Sequence, residues 1–293
     1  MNAPFGIDHP LIAVNDINAL RDRLIAMGFN MTPIGQHPWG TSTSLAMFQG
    51  CLLEIMGIYD EALIDEIPAG DFHFGRHVYE HLQQREGVAL SALHSTCSIT
   101  DAAFAETAGF TVAGHLEFGR DLTLPDHSVG RTKTTLALLP DQTYPRLSFF
   151  LCQQHRPELI YVPSWLEHPN SVNGYAGASI LVGDHDMAAL TDRFSGLYGA
   201  PRAMEGGVAF ETANGALRLL TRAAIEARNG LLPRTVTDDV GPAIVALDLT
   251  YSDESKLKTS LRAAGVKYSR HGDEFRLSEP QKFGNTFLNF VPD

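Results

Sequence analysis

An imidazole and a carboxylate stand in two predicted strands near the start of the chain, where apolar side chains dominate. His9 opens the first predicted strand, and Glu54 lies inside the apolar run Cys51–Ile58. Side chains alternate along a strand, so Glu54 shares one face with Leu52 and Met56. A carboxylate there is costly to bury unless it is paired or binds a cation. Histidine and glutamate are common ligands of divalent metals. The pair therefore predicts half of a metal site, with Glu54 also as the catalytic carboxylate. The alternative is a surface histidine and a salt-bridged glutamate on an edge strand.

The remaining ligands of such a site are expected on strands of a second unit. His94 lies in a predicted first strand, and Gln153 and His155 lie near the end of the segment Phe149–Glu158. Spacing alone does not choose between them. We retain His94 and His155 as candidate metal ligands and Gln153 as a candidate substrate contact, while His168 is a further candidate in a predicted loop.

Polar and aromatic residues are concentrated in the loop 35–44. His37, Trp39 and Thr41 lie close together there, and this composition suits a pocket wall that offers hydrogen bonds to a small polar ligand. The alternative is a simple turn between two strands. We therefore predict His37, Trp39 and Thr41 as substrate-binding residues.

Two arginines flank a predicted turn at residues 125–127. Arg120 and Arg131 can bind a substrate carboxylate through paired N–H groups, or they can be solvated residues of a hairpin. We carry Arg120 forward as a candidate substrate-binding residue.

The elements that must position these residues are repeated four times along the chain. Each copy combines a strand, a polar cap, an amphipathic helix, a glycine and further apolar runs, which is the pattern of a βαβββ module. The cap-to-glycine segments are 16–28, 100–109, 186–199 and 253–265. A module with one apolar sheet face needs a partner. Four modules therefore predict an α+β protein of two open cups, each with eight strands and two principal helices.

The polar candidates lie before residue 170, so the two predicted domains differ in function. The last strands of the C-terminal modules carry Arg218 and Asn289 in the place of Glu54, which predicts a structural or interfacial role. The predicted domains are an N-terminal domain, 1–170, with modules 1–59 and 88–157 joined by a linking helix, and a C-terminal domain, 171–293.

Composition excludes several classes of protein. The chain has 293 residues, 44% of them hydrophobic and 19% charged, as in soluble globular proteins. A formal net charge of −12 argues against a nucleic-acid partner, and no apolar run reaches the roughly 20 residues that span a bilayer. We expect no signal peptide, and the three separated cysteines fit reduced thiols in a cytoplasmic protein. The motifs for dinucleotides, P-loops, serine hydrolases and HExxH metalloproteases do not occur. The sequence leaves the oligomeric state open, with a homodimer as one option.

Several of these residues together resemble the vicinal oxygen chelate (VOC) superfamily, in its glyoxalase-like branch. The resemblance covers residues 7–170, and the rest of the chain shares only the repeat. It is carried by Asp8-His9, Gly28-Phe29, His37-Pro-Trp-Gly-Thr41, Leu53-Glu54-Ile55, Arg85-Glu-Gly87 and Phe149–Glu158.

The resemblance implies that paired βαβββ units form a cup around a divalent metal, with ligands on the first and last strands of both units. His9 and Glu54 match those positions in the first unit. The second unit departs from the pattern, because no glutamate falls within Phe149–Gln154.

The resemblance implies a metal-dependent lyase or isomerase that acts on a small oxygenated molecule through a Lewis-acidic Fe, Mn, Ni or Zn ion. An extradiol-type dioxygenase is an alternative, because two histidines and one carboxylate suit Fe(II). A metal-free small-molecule binding protein is another, because a fold does not settle function.

Overall fold

The computed structural model describes residues 5–236 and 241–293. The first half contains β1 (Ile7–Ala13), α1 (Ile17–Ala26), β2 (Gly35–Gln36), β3 (Thr41–Phe48), β4 (Cys51–Ile58), α2 (Phe74–Gln84), β5 (Gly87–Ser95), α3 (Ser98–Thr107), β6 (Gly114–Phe118), β7 (Asp121–Thr123), β8 (Val129–Arg131), β9 (Thr134–Leu139) and β10 (Phe149–Gln154). The second half contains β11 (Val172–Leu181), α4 (Met187–Tyr198), β12 (Arg202–Met204), β13 (Gly207–Glu211), β14 (Ala216–Leu220), α5 (Arg222–Asn229), β15 (Ala243–Tyr251), α6 (Glu254–Ala263), β16 (Tyr268–His271), β17 (Glu274–Leu277) and β18 (Phe287–Pro292). Within these ranges no helix is both long enough and apolar enough to cross a bilayer.

The strands form two eight-stranded sheets of the same design. The first has the order β2-β3-β4-β1-β5-β10-β9-β6, and the second has the order β12-β13-β14-β11-β15-β18-β17-β16. In each sheet the first strands of two modules are antiparallel neighbours at the centre, and each first strand pairs in parallel with the last strand of its own module. This arrangement confirms the predicted α+β fold of four βαβββ modules in two cups. Strands β7 and β8 pair separately as a short hairpin.

Helices α1, α5 and α6 each begin where the side chain of the N-cap residue accepts a hydrogen bond from an N–H group of the first turn. Asp16 accepts a hydrogen bond from Ala19 at the start of α1, and Asp253 does the same for α6. Helix α3 has no such cap of its own and begins at Ser98, three residues before the start that a cap at residue 100 predicts. The amide oxygen of Gln153, on the neighbouring strand β10, accepts from the Ser98 N–H at 2.9 Å and takes the place of the cap.

Four helices lie in one apolar core that reaches both sheets. Leu20 and Leu24 of α1, Phe194 of α4 and Leu257 of α6 belong to it, together with α3 and strands of both halves. Phe149 of β10 packs edge-on against Phe194, with ring centroids 5.8 Å apart. The halves therefore share one core.

The other face of each sheet receives a linking helix. In the N-terminal cup, Phe74 and Val78 of α2 pack against Leu11 and Phe150. In the C-terminal cup, Ile225 of α5 lies in the corresponding apolar cluster. Helix α2 covers only part of its sheet, and the uncovered part forms the cavity described below.

Gly75 allows α2 to approach the cup closely, which gives a first prediction. A Cβ at this position would lie 2.1 Å from the carbonyl oxygen of Trp39 and 2.8 Å from the Cα of Ile64. We expect Gly75→Ala to lower the free energy of unfolding by about 1–3 kcal/mol, since the backbone must shift. This reverses the usual advantage of alanine in a helix.

Chemical denaturation of Gly75→Ala and a matched variant, Gly174→Ala, tests this prediction. The nearest atom to a Cβ on Gly174 is the Thr250 hydroxyl, at 3.2 Å, so we expect a change within about 0.5 kcal/mol there. Equal stability of Gly75→Ala and the native protein would show that α2 is not held against the loop.

Candidate active site

A cavity of about 580 Å³ lies on the concave face of the N-terminal sheet. Residues of both N-terminal modules line it, and most of them are apolar or aromatic. Leu52, Glu54 and Met56 of β4 all face it, since alternate residues of a strand share a face. The polar and charged side chains that line the cavity include His9, His37, Thr43, Glu54, Arg120, Thr134 and Gln154.

A line of buried polar side chains lies at the floor of this cavity, where His9, Thr43 and Glu54 line it and Asp8 contacts His9 without lining it. The Nδ1 of His9 lies 2.5 Å from Oδ1 of Asp8, and its Nε2 lies 3.2 Å from Oε2 of Glu54. Thr43 of β3 donates its hydroxyl to Oε1 of Glu54 at 2.5 Å. The three ionisable groups are almost inaccessible, with exposed fractions of 0% for Asp8, 5% for His9 and 6% for Glu54. Glu54 is therefore paired and hydrogen-bonded, as a buried carboxylate must be.

The two carboxylates decide the protonation of His9. Burial of the imidazole opposes its charge, but Asp8, through charge and hydrogen bond, and then Glu54 outweigh that effect and raise the pKa of His9. The raised pKa favours the imidazolium form of His9, with Nδ1 hydrogen-bonded to Asp8 and Nε2 ion-paired with Glu54.

The predicted polar loop forms one wall of the cavity. The His37 ring stacks on Trp39 with centroids 4.7 Å apart, and its Nδ1 lies 2.9 Å from the Thr41 hydroxyl. Burial, with the nearby charges of Arg120 and His9, lowers the pKa of His37 well below its ordinary value. His37 is therefore neutral, and Thr41 holds the ring without itself lining the cavity.

Besides Thr41, three predicted residues lie outside the cavity, which corrects their expected placement. In β10 the cavity-facing residues are Phe150, Cys152 and Gln154, so Gln153 points to the other face, where it caps α3. His155 follows β10 on that other face and is exposed, with Nε2 2.7 Å from the Thr135 hydroxyl.

His94 is also exposed. It lies beyond the first residue of β1, and its N–H donates to the carbonyl of Gly6. His168, also considered as a ligand, is buried elsewhere, between the Asn30 N–H and the Met47 carbonyl.

The symmetry of the sheet shows which residues replace the expected second pair of ligands. Pro10 pairs with Ser91, and the pairs His9–Ala92 and Leu11–Leu90 lie on either side of it. This pseudo-twofold relation makes Leu90 the counterpart of His9. It also makes Ala92 the counterpart of Leu11, and these two residues pair with Phe150 and Glu54 respectively.

Leu90 and Phe150 therefore stand at the two positions of the second module that correspond to His9 and Glu54. Neither side chain can bind a metal. The residues present do not fit a metal held symmetrically by first and last strands of both modules.

Asp8 and His9 also form, together with Cys152, a group of side chains that could act as metal ligands. Ligand atoms of Asp8, His9 and Cys152 lie within 4.8 Å of one another, and all three residues are buried. Oδ2 of Asp8 has no hydrogen-bond partner among the described residues. Burial raises the pKa of the Cys152 thiol well above its usual range, so without a cation this thiol is neutral.

Sequence reasoning missed the roles of Asp8, Thr43 and Gln154. The adjacent Asp8-His9 pair was visible in the sequence as part of the family resemblance. The apolar sequence Phe149-Phe-Leu-Cys does not show which of two alternating faces enters a cavity, so nothing local distinguishes Gln154 from Gln153.

The C-terminal cup holds a polar network in place of a comparable site. Asp248 of β15 accepts from Arg218 at 2.7 Å and from Arg228 of α5 at 2.9 Å. Asn289 donates to Asp248 and to Asn229 at 2.9 and 2.8 Å. These contacts connect α5 to its sheet, while Oδ1 of Asn289 has no hydrogen-bond partner among the described residues.

The sequence belongs to the glyoxalase-like domain family, which it matches over residues 7–197. No curated protein matches the sequence. The family falls within the vicinal oxygen chelate superfamily that the resemblance indicated.

Solved structures with the same fold differ widely in sequence. A hypothetical protein from Staphylococcus aureus has a TM-score of 0.69 and 9% identity, over 99% of this chain and 100% of that one. A mutant of 4-hydroxymandelate synthase from Streptomyces coelicolor has a TM-score of 0.57 and 10% identity, over 99% and 93%. A fusion of a xylose isomerase-like TIM barrel with a 4-hydroxyphenylpyruvate dioxygenase has a TM-score of 0.55 and 13% identity, over 100% and 50%. At these identities the likeness concerns the fold alone.

The raised pKa of His9 predicts how stability changes with pH. A group whose folded pKa exceeds its unfolded value of about 6.5 contributes its full stabilisation below that value and loses it as the pH rises through the folded pKa. His37, His77 and His81 have lowered pKa values, so above about pH 6.5 they are neutral in both states and contribute no slope. We therefore expect the free energy of unfolding to fall as the pH rises above about 6.5 and through the folded pKa of His9.

Chemical denaturation across this range, repeated with Asp8→Asn, measures the effect. Removal of the Asp8 charge lowers the folded pKa of His9, so the loss of stability should move to lower pH. The same pH profile in both proteins would show that Asp8 does not hold the proton on His9.

The C-terminal network gives a separate prediction. Arg218→Met removes a hydrogen bond to the buried carboxylate of Asp248 and should lower the free energy of unfolding by about 1.5–3 kcal/mol. The tryptophans of the chain, Trp39 and Trp165, both line the N-terminal cavity, so their emission spectrum in the folded variant should match that of the native protein. A shifted native-state spectrum would mean that the two cups are structurally coupled.

Proposed function

We propose that the protein is an enzyme that moves a proton at a carbon beside a carbonyl group of a small organic molecule, as a lyase or isomerase. The observation that supports this best is the buried line of Asp8, His9 and Glu54, of which His9 and Glu54 line the floor of a mostly apolar cavity. A carboxylate base and a cationic hydrogen-bond donor at one point are what an enolate-forming reaction needs.

Each residue has a separate part in this reaction. Glu54, held by Thr43, removes the proton from the carbon and returns it to the same or the neighbouring carbon. In the free protein the Nε2 of His9 lies 3.2 Å from Oε2 of Glu54. When substrate binds, this N–H leaves Glu54 and donates its hydrogen bond to the substrate oxygen, where negative charge develops, so that the Glu54 oxygen is free to act as the base. Asp8 fixes the orientation of the imidazole and keeps it protonated. The apolar walls exclude water, which strengthens these interactions.

A metal-dependent reaction is the second candidate, and the buried group of Asp8, His9 and Cys152 favours it. Carboxylate, imidazole and thiolate together suit Zn(II), while a site richer in imidazole and carboxylate suits Fe(II), Mn(II) or Ni(II). An extradiol-type dioxygenase belongs to this candidate. A binding protein without turnover is the third, supported by the apolar cavity alone.

Exchange of substrate protons with deuterium tests the proposed reaction. The protein is incubated in D₂O with a panel of small aldehydes, ketones and 2-oxo acids, and the loss of the proton NMR signal of the acidic C–H is measured. We expect the protein to catalyse exchange of this proton for deuterium in at least one member of the panel. Glu54→Gln should slow that exchange by about 10²–10⁴-fold, because the base is lost. Glu117→Gln, an exposed carboxylate paired with Lys133, is the matched control and should exchange at the native rate.

Elemental analysis of the same purified proteins separates the candidates. The acid–base reaction predicts exchange that survives removal of metals with a chelator and depends on Glu54. Stoichiometric metal that is lost in His9→Ala, with exchange that requires it, would favour the second candidate. Saturable binding with no exchange in the whole panel would favour the third.

A further inference from the structure

Arg120 differs from the other charged side chains around the cavity floor. Asp8, His9 and Glu54 are joined to one another within 3.2 Å. None of the ion pairs formed by the described residues includes Arg120, although its guanidinium lines the same cavity and lies close enough to Glu54 and His37 to influence their electrostatics. Its N–H groups are thus available to a bound molecule.

The hairpin between β6 and β9 holds Arg120 in this position. The Arg120 N–H donates to the Thr132 hydroxyl at 2.9 Å, and the Thr132 N–H donates to the Arg120 carbonyl at 2.8 Å. The guanidinium lies against Gly35, where a Cβ would be 2.6 Å from Nη1. The backbone of Arg120 is thus held by two hydrogen bonds, while its side chain extends to Gly35 of the first module. A guanidinium already placed at the cavity costs less to order when a ligand binds.

Arg131, on the same hairpin, shows the contrast. It pairs with Asp121 at 2.9 Å, and its side chain is 63% exposed. This is the solvated arrangement that the sequence left open for both arginines, and the structure gives it to Arg131 alone. The two residues therefore form a natural test pair.

The rest of the cavity describes the body of the ligand. Its walls are mostly apolar and include the aromatic side chains Trp39, Phe74, Phe118, Phe150 and Trp165. A carboxylate on the ligand is repelled by Glu54 at the floor and attracted by Arg120 at the hairpin. An anionic ligand must therefore place its charged end at the hairpin and its other end at His9 and Glu54.

We propose that Arg120 is the anchor of a substrate carboxylate, so that the natural ligand is a small organic acid with one carboxylate and an apolar or aromatic body. The inference rests on the proposed function only for the reaction at the other end of the molecule. A guanidinium binds a carboxylate through two parallel N–H···O bonds, and this fixes the carbon to be deprotonated at Glu54. Arg120 thus selects and positions the substrate.

Quenching of tryptophan emission measures binding directly, since Trp39 and Trp165 both line the cavity. The probes are phenylacetate, benzoate and hexanoate, each compared with its neutral amide of nearly the same shape. We expect at least one acid to bind more than 10-fold more tightly than its amide. Arg120→Met should weaken binding of that acid about 10- to 100-fold and leave the amide unchanged. Arg120→Lys should retain part of the preference, and Arg131→Met all of it.

The outcomes separate this inference from the proposed reaction. If no acid binds more tightly than its amide, or if Arg120→Met keeps the preference, the anchor is overturned whatever the protein catalyses. If Glu54→Gln keeps the preference while no proton exchange is found in the native protein, the anchor stands and the proposed reaction fails.

Discussion

The site depends on the burial of two carboxylates beside one imidazole. Asp8 and Glu54 are almost inaccessible, and a buried charge without a partner is far more costly than a paired one. His9 lies between them, and the two carboxylates raise its pKa, which favours the charged imidazolium that pairs with both. Neighbouring residues of the sheet support this pairing. Thr43 donates a hydrogen bond to the second carboxylate oxygen of Glu54, and Phe150 packs edge-on against the imidazole of His9 with ring centroids 5.5 Å apart.

The duplicated architecture makes the chemistry of this cup one-sided. The pseudo-twofold axis of the sheet relates His9 to Leu90 and Glu54 to Phe150. One module therefore supplies the polar floor, while the other supplies apolar surface and, through its extended hairpin, Arg120. A ligand bound between them meets a charged group at each end and an apolar wall along its length.

The two cups show that the concave face of this fold can either remain open as a cavity or be filled by side chains. In the C-terminal cup, Arg228 of α5 joins Arg218 on the carboxylate of Asp248, so the charges of the linking helix and the sheet satisfy one another. In the N-terminal cup, α2 contributes the apolar side chains Phe74 and Val78 and leaves the charged residues of the sheet facing the cavity. The linking helix therefore fills the concave face in the C-terminal cup, whereas in the N-terminal cup it borders an open cavity.

The sequence by itself determined the four modules, their pairing and the unusual position of His9 and Glu54, because these follow from local periodicity and from the cost of a carboxylate in an apolar strand. It could not determine which face of β10 enters the cup, since a strand of apolar residues on both faces carries no alternation. Gln153 was therefore predicted where Gln154 lies. Only the tertiary structure decided that Asp8 holds His9 and that Arg120 reaches the cavity. Neighbouring residues of a regular strand point to opposite faces, and the Asp8–His9 contact occurs where the register of β1 against β5 shifts, between Ile7 and His9. The position of Arg120 depends on a hairpin that is distant in sequence from His9 and Glu54, and local sequence does not encode that distance.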